Sequence, residues 1–203
     1  MKKFQYMTSS CETAVPLSRY TTLEVGGEAL RLVSVDTPEE AMQEWHRARA
    51  EGLPLFVLGG GSNLLVSDRG FAGVVLRWNE RSLAILEQDS TSVLVRVGGG
   101  WNWDDWVAHS VTQNWTGLEC LSGIPGRVGA APIQNIGAYG QEVAEVIEAC
   151  WVLEWETGQL RRLTAPECAF GYRMSRFKQE WKGRFLVTAV EFRLHPGAPP
   201  KLR

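Results

Sequence analysis

The feature that most constrains the fold is the nineteen-residue segment Ser122–Gly140, which contains five glycines and two prolines and almost no charge. We call it the long glycine segment. Glycine has no side chain and tolerates positive φ, so backbone of this composition can lie flat against a ligand. A surface loop of this length is normally polar, and a buried loop strands its backbone N–H and C=O groups. We therefore expect the segment to contact a flat, hydrogen-bonding cofactor, which composition alone does not name.

A second run, Gly59–Asn63, directly follows the apolar stretch Leu55–Leu58 and is called here the short glycine segment. The apolar stretch is short and bracketed by Pro54 and Gly59, which favours a buried strand. Three consecutive glycines can direct several N–H groups at one anion such as a pyrophosphate, and Ser62 and Asn63 could add side-chain donors. The run has neither the Rossmann nor the Walker spacing, and a plain tight turn would also explain it.

A third segment, Phe170–Ser175, follows the helix start Thr164–Glu167. Arg173 lies there between an aromatic residue and a hydroxyl. A guanidinium in such a place can offer a fork of donors to a carboxylate or to a developing enolate. The alternative is an ordinary surface arginine, because most arginines are exposed.

Local patterns predict a mixed chain of helices and strands. Thr37, Pro38 and Glu40 form a helix start with a capping box, Ala41, Trp45 and Ala48 share one face, and Gly52 ends the helix. Asn102 is predicted to cap a second helix, with Asp104 and Asp105 in its first turn. Strands are expected near 74–76, 93–97, 146–155 and 186–194, with a hairpin turn at 156–158. Strand density is weakest near 78–92, and the proline-rich tail 196–200 cannot continue a strand.

Composition excludes several classes of protein. The formal net charge is -2 and no block of lysine and arginine is present, so nucleic acid is not an expected partner. We expect no membrane segment and no signal peptide, and hence a cytoplasmic protein. The four cysteines have no C-x-x-C spacing, which favours reduced thiols over a disulfide framework or a metal site. The nine tryptophans are expected in core and groove packing.

The three segments together resemble the UDP-N-acetylenolpyruvoylglucosamine reductases, in particular the longer form of that family. The family's flavin motif G-x-G-S-N is matched by Gly59–Asn63. Its motif G-x-P-G-x-V-G-x-x-P-I-Q-N-I-G-A-Y-G is met without a gap from Gly123 to Gly140, and its G-Y-R-x-S by Gly171–Ser175. The similarity extends from Tyr20 to about Leu194.

The resemblance implies a fold class, α+β, in the form of a vanillyl-alcohol-oxidase-type FAD-binding domain built of two α+β subdomains. We expect residues 1–80 to form the first subdomain and 81–195 the second. Residues 196–203 are expected to be a linker towards an absent carboxy-terminal substrate-binding domain.

The resemblance also implies a reaction in which NADPH reduces a non-covalent FAD, which then reduces the enolpyruvyl CH–CH bond of a nucleotide sugar. The product, UDP-N-acetylmuramate, serves peptidoglycan synthesis and thereby cell shape and division. Arg173 is the expected catalytic residue, and Tyr139, Tyr172 and Arg173 are expected to bind substrate. The expected FAD contacts are Gly59, Gly60, Gly61, Ser62, Asn63, Ser122, Gly123, Ile124, Pro125, Gly126, Gly129, Ala130, Gln134, Asn135, Gly137, Ala138, Tyr139 and Gly140.

Two features of the family have no counterpart in these residues: its proton-donating serine and its catalytic glutamate, both of the carboxy-terminal domain. We therefore expect a fragment that binds FAD weakly or not at all, does not turn over substrate, and is a monomer. One alternative is a flavoprotein oxidase of the same fold. Such oxidases often tether flavin through a histidine, and His46, His109 and His195 all lie outside the glycine segments. Another alternative is a non-catalytic flavin-binding module.

Overall fold

The computed structural model describes residues 10–197. It contains three α-helices, α1 (Pro38–Ala50), α2 (Trp103–Thr112) and α3 (Ala165–Cys168). Its strands are β1 (Ser10–Pro16), β2 (Glu28–Val35), β3 (Leu55–Val57), β4 (Phe71–Trp78), β5 (Leu83–Gln88), β6 (Val93–Gly98), β7 (Trp115–Thr116), β8 (Gly137–Ala138), β9 (Gln141–Glu142), β10 (Ile147–Glu154), β11 (Leu160–Thr164) and β12 (Phe185–Pro196).

The strands form two principal sheets. The first has the order β1-β2-β4-β3, in which β1 and β2 are antiparallel while β4 is parallel to both β2 and β3. The second has the order β11-β10-β12-β6-β5 with all neighbours antiparallel, and β7 pairs with the end of β12. A small hairpin of β8 and β9 stands apart from both. The chain is therefore α+β, as expected.

The helices begin as their caps predict. The Thr37 hydroxyl accepts from the Glu40 N–H, and the Glu40 carboxylate accepts from the Thr37 N–H, with Pro38 in the first turn. The Asn102 side chain accepts from the N–H groups of Asp104 and Asp105 at the start of α2. Ala41 and Ala48 are buried, and Trp45 stacks on Trp155 with ring centroids 6.2 Å apart.

Tryptophans build much of the core, as predicted. Trp103 and Trp106 of α2 are fully buried beneath the second sheet, and Trp106 lies 5.5 Å from the Phe192 ring. A separate cluster joins the two sheets, because α1 and β4 pack there against Leu153, Trp155 and Leu186. The first sheet meets the second through an apolar contact, and this contact fixes the groove between them.

Three expectations about strands need correction. β3 is the edge strand of its sheet, and Phe56 is 39% exposed, so the predicted buried strand is wrong in its burial. The stretch 78–92 contains a strand, β5, although few strand signals were predicted there. Its side chains are mostly exposed, so its sequence lacks the apolar pattern of a buried strand. β12 continues to Pro196, which pairs with Trp115 of β7, so proline is tolerated at this strand end. The rest of the predicted tail, 198–203, lies outside the described residues.

Candidate functional site

The short glycine segment leaves the first sheet at the end of β3. The Leu58 N–H still donates to the Leu76 carbonyl at 2.8 Å. Within residues 10–197, the N–H groups of Gly59 to Asn63 donate to no protein acceptor. Because unpaired N–H groups must find a partner in solvent or a ligand, this run is a donor array open to an anion.

Gly61 is the position in this run where a side chain would collide most severely. Its φ is +70°, and a Cβ there would lie 1.8 Å from the Tyr20 carbonyl oxygen. The Gly61 carbonyl accepts from the Thr22 N–H at 3.1 Å. The loop is therefore held close against the segment that precedes β2, with its N–H groups unused.

The long glycine segment is bonded in a different way. Val128 and Gly129 donate to the carbonyls of Trp101 and Gly99, each at 3.0 Å. Ala131 and Ile136 donate to carbonyls inside the segment, to Val128 and Ala131 respectively. The expectation that this backbone needs a ligand to pair its N–H groups is therefore wrong for Val128–Ala131, Ile133, Asn135 and Ile136, because short-range turns and the β6–α2 connection already pair them.

The two glycine segments face each other across a narrow gap. A Cβ on Gly60 would lie 2.7 Å from the Gly126 Cα, and one on Gly59 would lie 3.2 Å from the Ala130 Cβ. The Ser62 hydroxyl donates to the Pro125 carbonyl at 3.2 Å. The Asn63 amide donates to the Gln134 side chain at 3.0 Å. The predicted residues from both segments are thus brought together into one groove.

Three adjoining clefts of about 400, 330 and 380 Å³ share Gly59. Each lies within the range of small-molecule sites, so together they accept an elongated ligand. Apolar side chains of Phe56, Leu58 and Ile133 line this groove beside the glycines. Of the predicted FAD contacts, those that line it are Gly59, Gly60, Gly61, Ser62, Asn63, Pro125, Gly126, Gly129, Ala130 and Gln134.

The other eight predicted contacts lie outside the lining of these clefts; four of them line a separate cleft described below, and the remaining four are Ser122, Gly123, Ile124 and Asn135. The Ser122 hydroxyl and the Gly123 N–H donate to Asp104 Oδ1 at 2.8 and 2.7 Å. These bonds lower the pKa of Asp104, the Gly123 N–H most and the Ser122 hydroxyl next. Ile124 packs against the core. As flavin contacts, these residues and Asn135 remain predictions.

Asn135 acts as an internal clamp in the structure. It is fully buried with φ of +47°. Its Nδ2 donates to Glu142 Oε2 at 2.8 Å and to the Gly171 carbonyl at 2.9 Å, and its Oδ1 accepts from the Ala144 N–H at 3.1 Å. The amide thereby ties the long glycine segment to the turn that carries Arg173.

A separate cleft of about 390 Å³ is lined by Arg173, Tyr139 and Tyr172. Its lining also includes Gly137, Ala138 and Gly140. Tyr139 and Gly140 form the tip of the β8–β9 hairpin, both with positive φ, and Tyr139 is 79% exposed. Arg173 has φ of +54° in a turn closed by two hydrogen bonds between Gly171 and Met174. Non-glycine residues in this conformation are uncommon and cluster at functional sites.

The guanidinium of Arg173 donates through Nη2 to the Gly137 carbonyl. Among the described residues no carboxylate pairs with it. The Ser175 hydroxyl, two residues on, donates to the Ile133 carbonyl at 2.6 Å. The turn is therefore anchored to the long glycine segment on both sides, while most donors of Arg173 stay available.

Sequence patterns did not reveal four arginines that line the cleft beside Gly59 and Gly60: Arg19, Arg77, Arg81 and Arg127. They are far apart along the chain, and no motif joins them. The one available sign was Arg127, the lone charged residue of the long glycine segment. Burial, and then the nearby Arg77 and Arg81, lower the pKa of Arg127 to about 10.

The histidines lie away from the groove lining. His109 packs among Trp101, Trp106 and Trp115, and the His195 Nδ1 lies 3.2 Å from the Thr91 carbonyl. Over residues 10–197, no group of histidine, cysteine and acidic residues is arranged to hold a metal ion. No helix in that range is long and apolar enough to span a membrane.

Comparison with known proteins agrees with this geometry. The sequence profile of a family described as "FAD binding domain" matches residues 29–164. The UDP-N-acetylenolpyruvoylglucosamine reductase of Salinispora arenicola is 48% identical over 178 residues, which is 88% of this chain and 48% of that protein. The chain thus spans about half the length of the curated relatives it matches.

Solved structures show the same fold. The UDP-N-acetylenolpyruvylglucosamine reductase of Thermus caldophilus superposes with a TM-score of 0.73 at 34% identity, over 93% of this chain and 63% of that one. A VAO-type flavoprotein of Myceliophthora thermophila C1 superposes with a TM-score of 0.61 at 16% identity, over 85% and 32%. The second likeness concerns the fold alone. The expected fold, an FAD-binding domain of the vanillyl-alcohol-oxidase type, is confirmed.

Proposed function

We propose that this chain, which belongs to the FAD binding domain family, is the FAD-binding part of a UDP-N-acetylenolpyruvoylglucosamine reductase. The single observation that carries the proposal is the groove between the two glycine segments. One wall offers the unpaired N–H groups of residues 59–63, and the other is a preformed, internally bonded surface. An elongated molecule with a charged diphosphate and a flat ring system matches both walls.

The residues present fit such a cofactor. Gly59, Gly60 and Gly61 leave room for the close approach of a ligand, and a Cβ on Gly60 or Gly61 would collide with Gly126 or Tyr20. Pro125, Ala130 and Ile133 give the opposite wall an apolar surface. When bound, FAD supplies hydride transfer, which no side chain of the chain provides. The protein holds the cofactor without a covalent bond.

We assign the cleft of Arg173 to the enolpyruvyl end of a nucleotide-sugar substrate. Addition of hydride to an enol ether places negative charge next to a carboxylate. The Arg173 guanidinium stabilises that charge, because a fixed cation in a prepared site is worth more than a mobile one in water. Its position is set by the Gly137 carbonyl and by the turn from Gly171 to Met174. Tyr139 and Tyr172 flank it as substrate-binding residues.

The remaining parts of the proposal rest on the similarity to the reductases. NADPH is the hydride donor, the reaction reduces a CH–CH bond, and the product enters peptidoglycan synthesis in the cytoplasm. Residues 1–80 and 81–195 form two subdomains, a division supported by the two sheets, which lie on either side of residues 79–82. The chain is a monomer.

Titration of the purified chain with FAD, followed by flavin fluorescence, tests the cofactor assignment. The preformed groove leads us to expect reversible binding, rather than none, and release of all flavin on denaturation. Flavin retained on a denaturing gel would instead favour the oxidase alternative. Absence of any flavin binding would contradict the proposal.

The substrate assignment is tested separately by comparing Arg173→Met with Arg176→Met. Arg176 is a matched control, because it follows in the same region but pairs with Glu180 at 2.6 Å. Binding of the enolpyruvyl nucleotide sugar, measured by calorimetry, should weaken roughly tenfold or more for Arg173→Met alone. Equal affinities for the two variants would remove Arg173 from the substrate site.

A further inference from the structure

Four arginines line one of the three clefts that share Gly59. Arg19 precedes β2, Arg77 lies in β4, Arg81 follows β4, and Arg127 lies in the long glycine segment. Their cleft has a volume of about 400 Å³ and also includes Gly59, Gly60 and Gly126. The arginines therefore border the same glycines that face the flavin groove.

Charge in this cleft is unbalanced. Among the described residues that line it, none is acidic, although the chain as a whole carries a formal net charge of -2. Within residues 10–197, Arg19, Arg77 and Arg81 form no ion pair. Arginines elsewhere on the chain are commonly paired, as Arg31 is with Glu44 and Glu51. Like charges that converge without a counter-charge oppose folding unless an anion joins them.

The polar groups of the cluster point to a missing partner. The Arg77 Nε is shielded from solvent and has no acceptor in the described part of the chain. Its guanidinium lies over the Tyr20 ring, 5.0 Å from the centroid. Arg127 Nη1 donates to the Trp78 carbonyl and, at 2.9 Å, to the Asn79 side chain, which fixes its position. A buried donor without an acceptor is costly, so the site is built for a ligand that accepts.

We propose that Arg19, Arg77, Arg81 and Arg127 form an anion site that takes a diphosphate group. Planar guanidinium groups bind phosphate oxygens in pairs. Gly59 and Gly60, whose N–H groups have no protein acceptor within residues 10–197, line the same cleft. The diphosphate of a flavin dinucleotide is one source of this chemistry, in which case the site rests on the proposed function. A second phosphate-bearing molecule is the other source.

The test measures binding of three probes to the 203-residue chain: inorganic pyrophosphate, FAD and riboflavin, which has no phosphate. The variants are Arg81→Met and the double change Arg77→Met with Arg81→Met. Arg81 is exposed, so its single variant keeps the fold. Arg69→Met is the matched control, since Arg69 is exposed, lies outside the cleft and loses the same charge.

We expect pyrophosphate binding to weaken roughly tenfold or more in the double variant and less in Arg81→Met, with Arg69→Met unchanged. A parallel loss for FAD with riboflavin unaffected identifies the dinucleotide as the source. Loss for pyrophosphate alone, with FAD unchanged, supports the site and assigns it to another phosphate-bearing molecule. If the chain binds pyrophosphate but no flavin, the anion site stands and the proposed function fails. No pyrophosphate binding by the unchanged chain, or equal binding in all variants, overturns the inference.

Discussion

The two glycine segments have similar compositions and opposite hydrogen-bonding states. In the short segment, residues 59–63 leave their N–H groups without protein acceptors within the described range. In the long segment, Val128, Gly129, Ala131 and Ile136 are all bonded to backbone carbonyls. Glycine content alone therefore does not distinguish a ligand-binding loop from a compact structural one. The hydrogen-bond partner of each backbone N–H group distinguishes the two.

Because of this difference, the two segments contribute different features to the groove. The short segment supplies donors, and its glycines are required because other side chains would strike Tyr20 or Gly126. The long segment supplies a rigid wall, and through Asn135 and Ser175 it also holds the Arg173 turn. In the proposed function, the nineteen residues of the long segment would hold both the flavin wall and the Arg173 turn in place, and the five residues of the short segment would recognise charge.

The largest expected effect comes from Gly61→Ala compared with Gly123→Ala. Both glycines have positive φ, +70° and +76°, but a Cβ at Gly61 meets the Tyr20 carbonyl at 1.8 Å whereas nothing lies within 4 Å at Gly123. We expect Gly61→Ala to lower the free energy of unfolding by about 3 kcal/mol or more. Gly123→Ala should cost only about 1 kcal/mol of backbone strain. Urea denaturation measures the free energy of unfolding of both variants. Equal losses would contradict the expected difference between Gly61 and Gly123.

A smaller effect is expected for Asn135→Ala compared with Asn63→Ala. Removing the fully buried Asn135 amide breaks three partly buried hydrogen bonds, to Glu142, to the Gly171 carbonyl and from the Ala144 N–H. The free energy of unfolding should fall by about 2–3 kcal/mol. Asn63 is exposed and bonds only Gln134, so its loss should stay within about 0.5 kcal/mol. A large loss at Asn63 would mean that the short segment is also structural.

The smallest effect concerns Asp104, which anchors the start of the long segment. Its pKa is lowered below the ordinary value of 3.8, so its stabilisation is present above about that pH and is lost as pH falls through the lower folded-state value. Asp104→Asn should cost no more than about 1 kcal/mol at neutral pH, because the carboxylate is exposed. The difference from the unchanged chain should shrink below pH 3.8.

Asp105→Asn is the control for this pH series. It removes a charge from the same first turn of α2 without touching Ser122 or Gly123. The free energy of unfolding lost in Asp104→Asn could prove independent of pH, or Asp105→Asn could lose the same amount at every pH. Either result would show that the Asp104 carboxylate does not stabilise the long segment.

Local chemistry made part of this structure predictable. The capping box at Thr37 and the cap at Asn102 act over three residues, and both helices begin where those residues predict. The strand β5 escaped notice because Ile85 and Leu86 are exposed on an edge strand, without the alternation that burial imposes. The family motifs predicted that Arg173, Tyr139 and Tyr172 bind substrate. All three line one cleft, and their role stays a prediction.

Other features depend on contacts that no local pattern encodes. The hydrogen bonds from Gly129 to Gly99 and from Val128 to Trp101 join positions some thirty residues apart. They pair backbone N–H groups that the glycine content predicted to be unpaired. The arginine cluster gathers residues from four distant places along the chain. Tertiary packing decides both, so only the folded chain shows which glycines bind a ligand and which support the loop.

The most direct test follows the backbone amide resonances of the ¹⁵N-labelled chain while FAD is added. The account predicts large, saturable shifts for Gly59, Gly60 and Gly61, and small ones for Val128 and Gly129, whose N–H groups are already bonded to carbonyls. Inorganic pyrophosphate should shift the same three glycines. Shifts centred on Val128 and Gly129, with the short segment unmoved, would contradict the assignment of the short glycine segment as the donor wall of the flavin site.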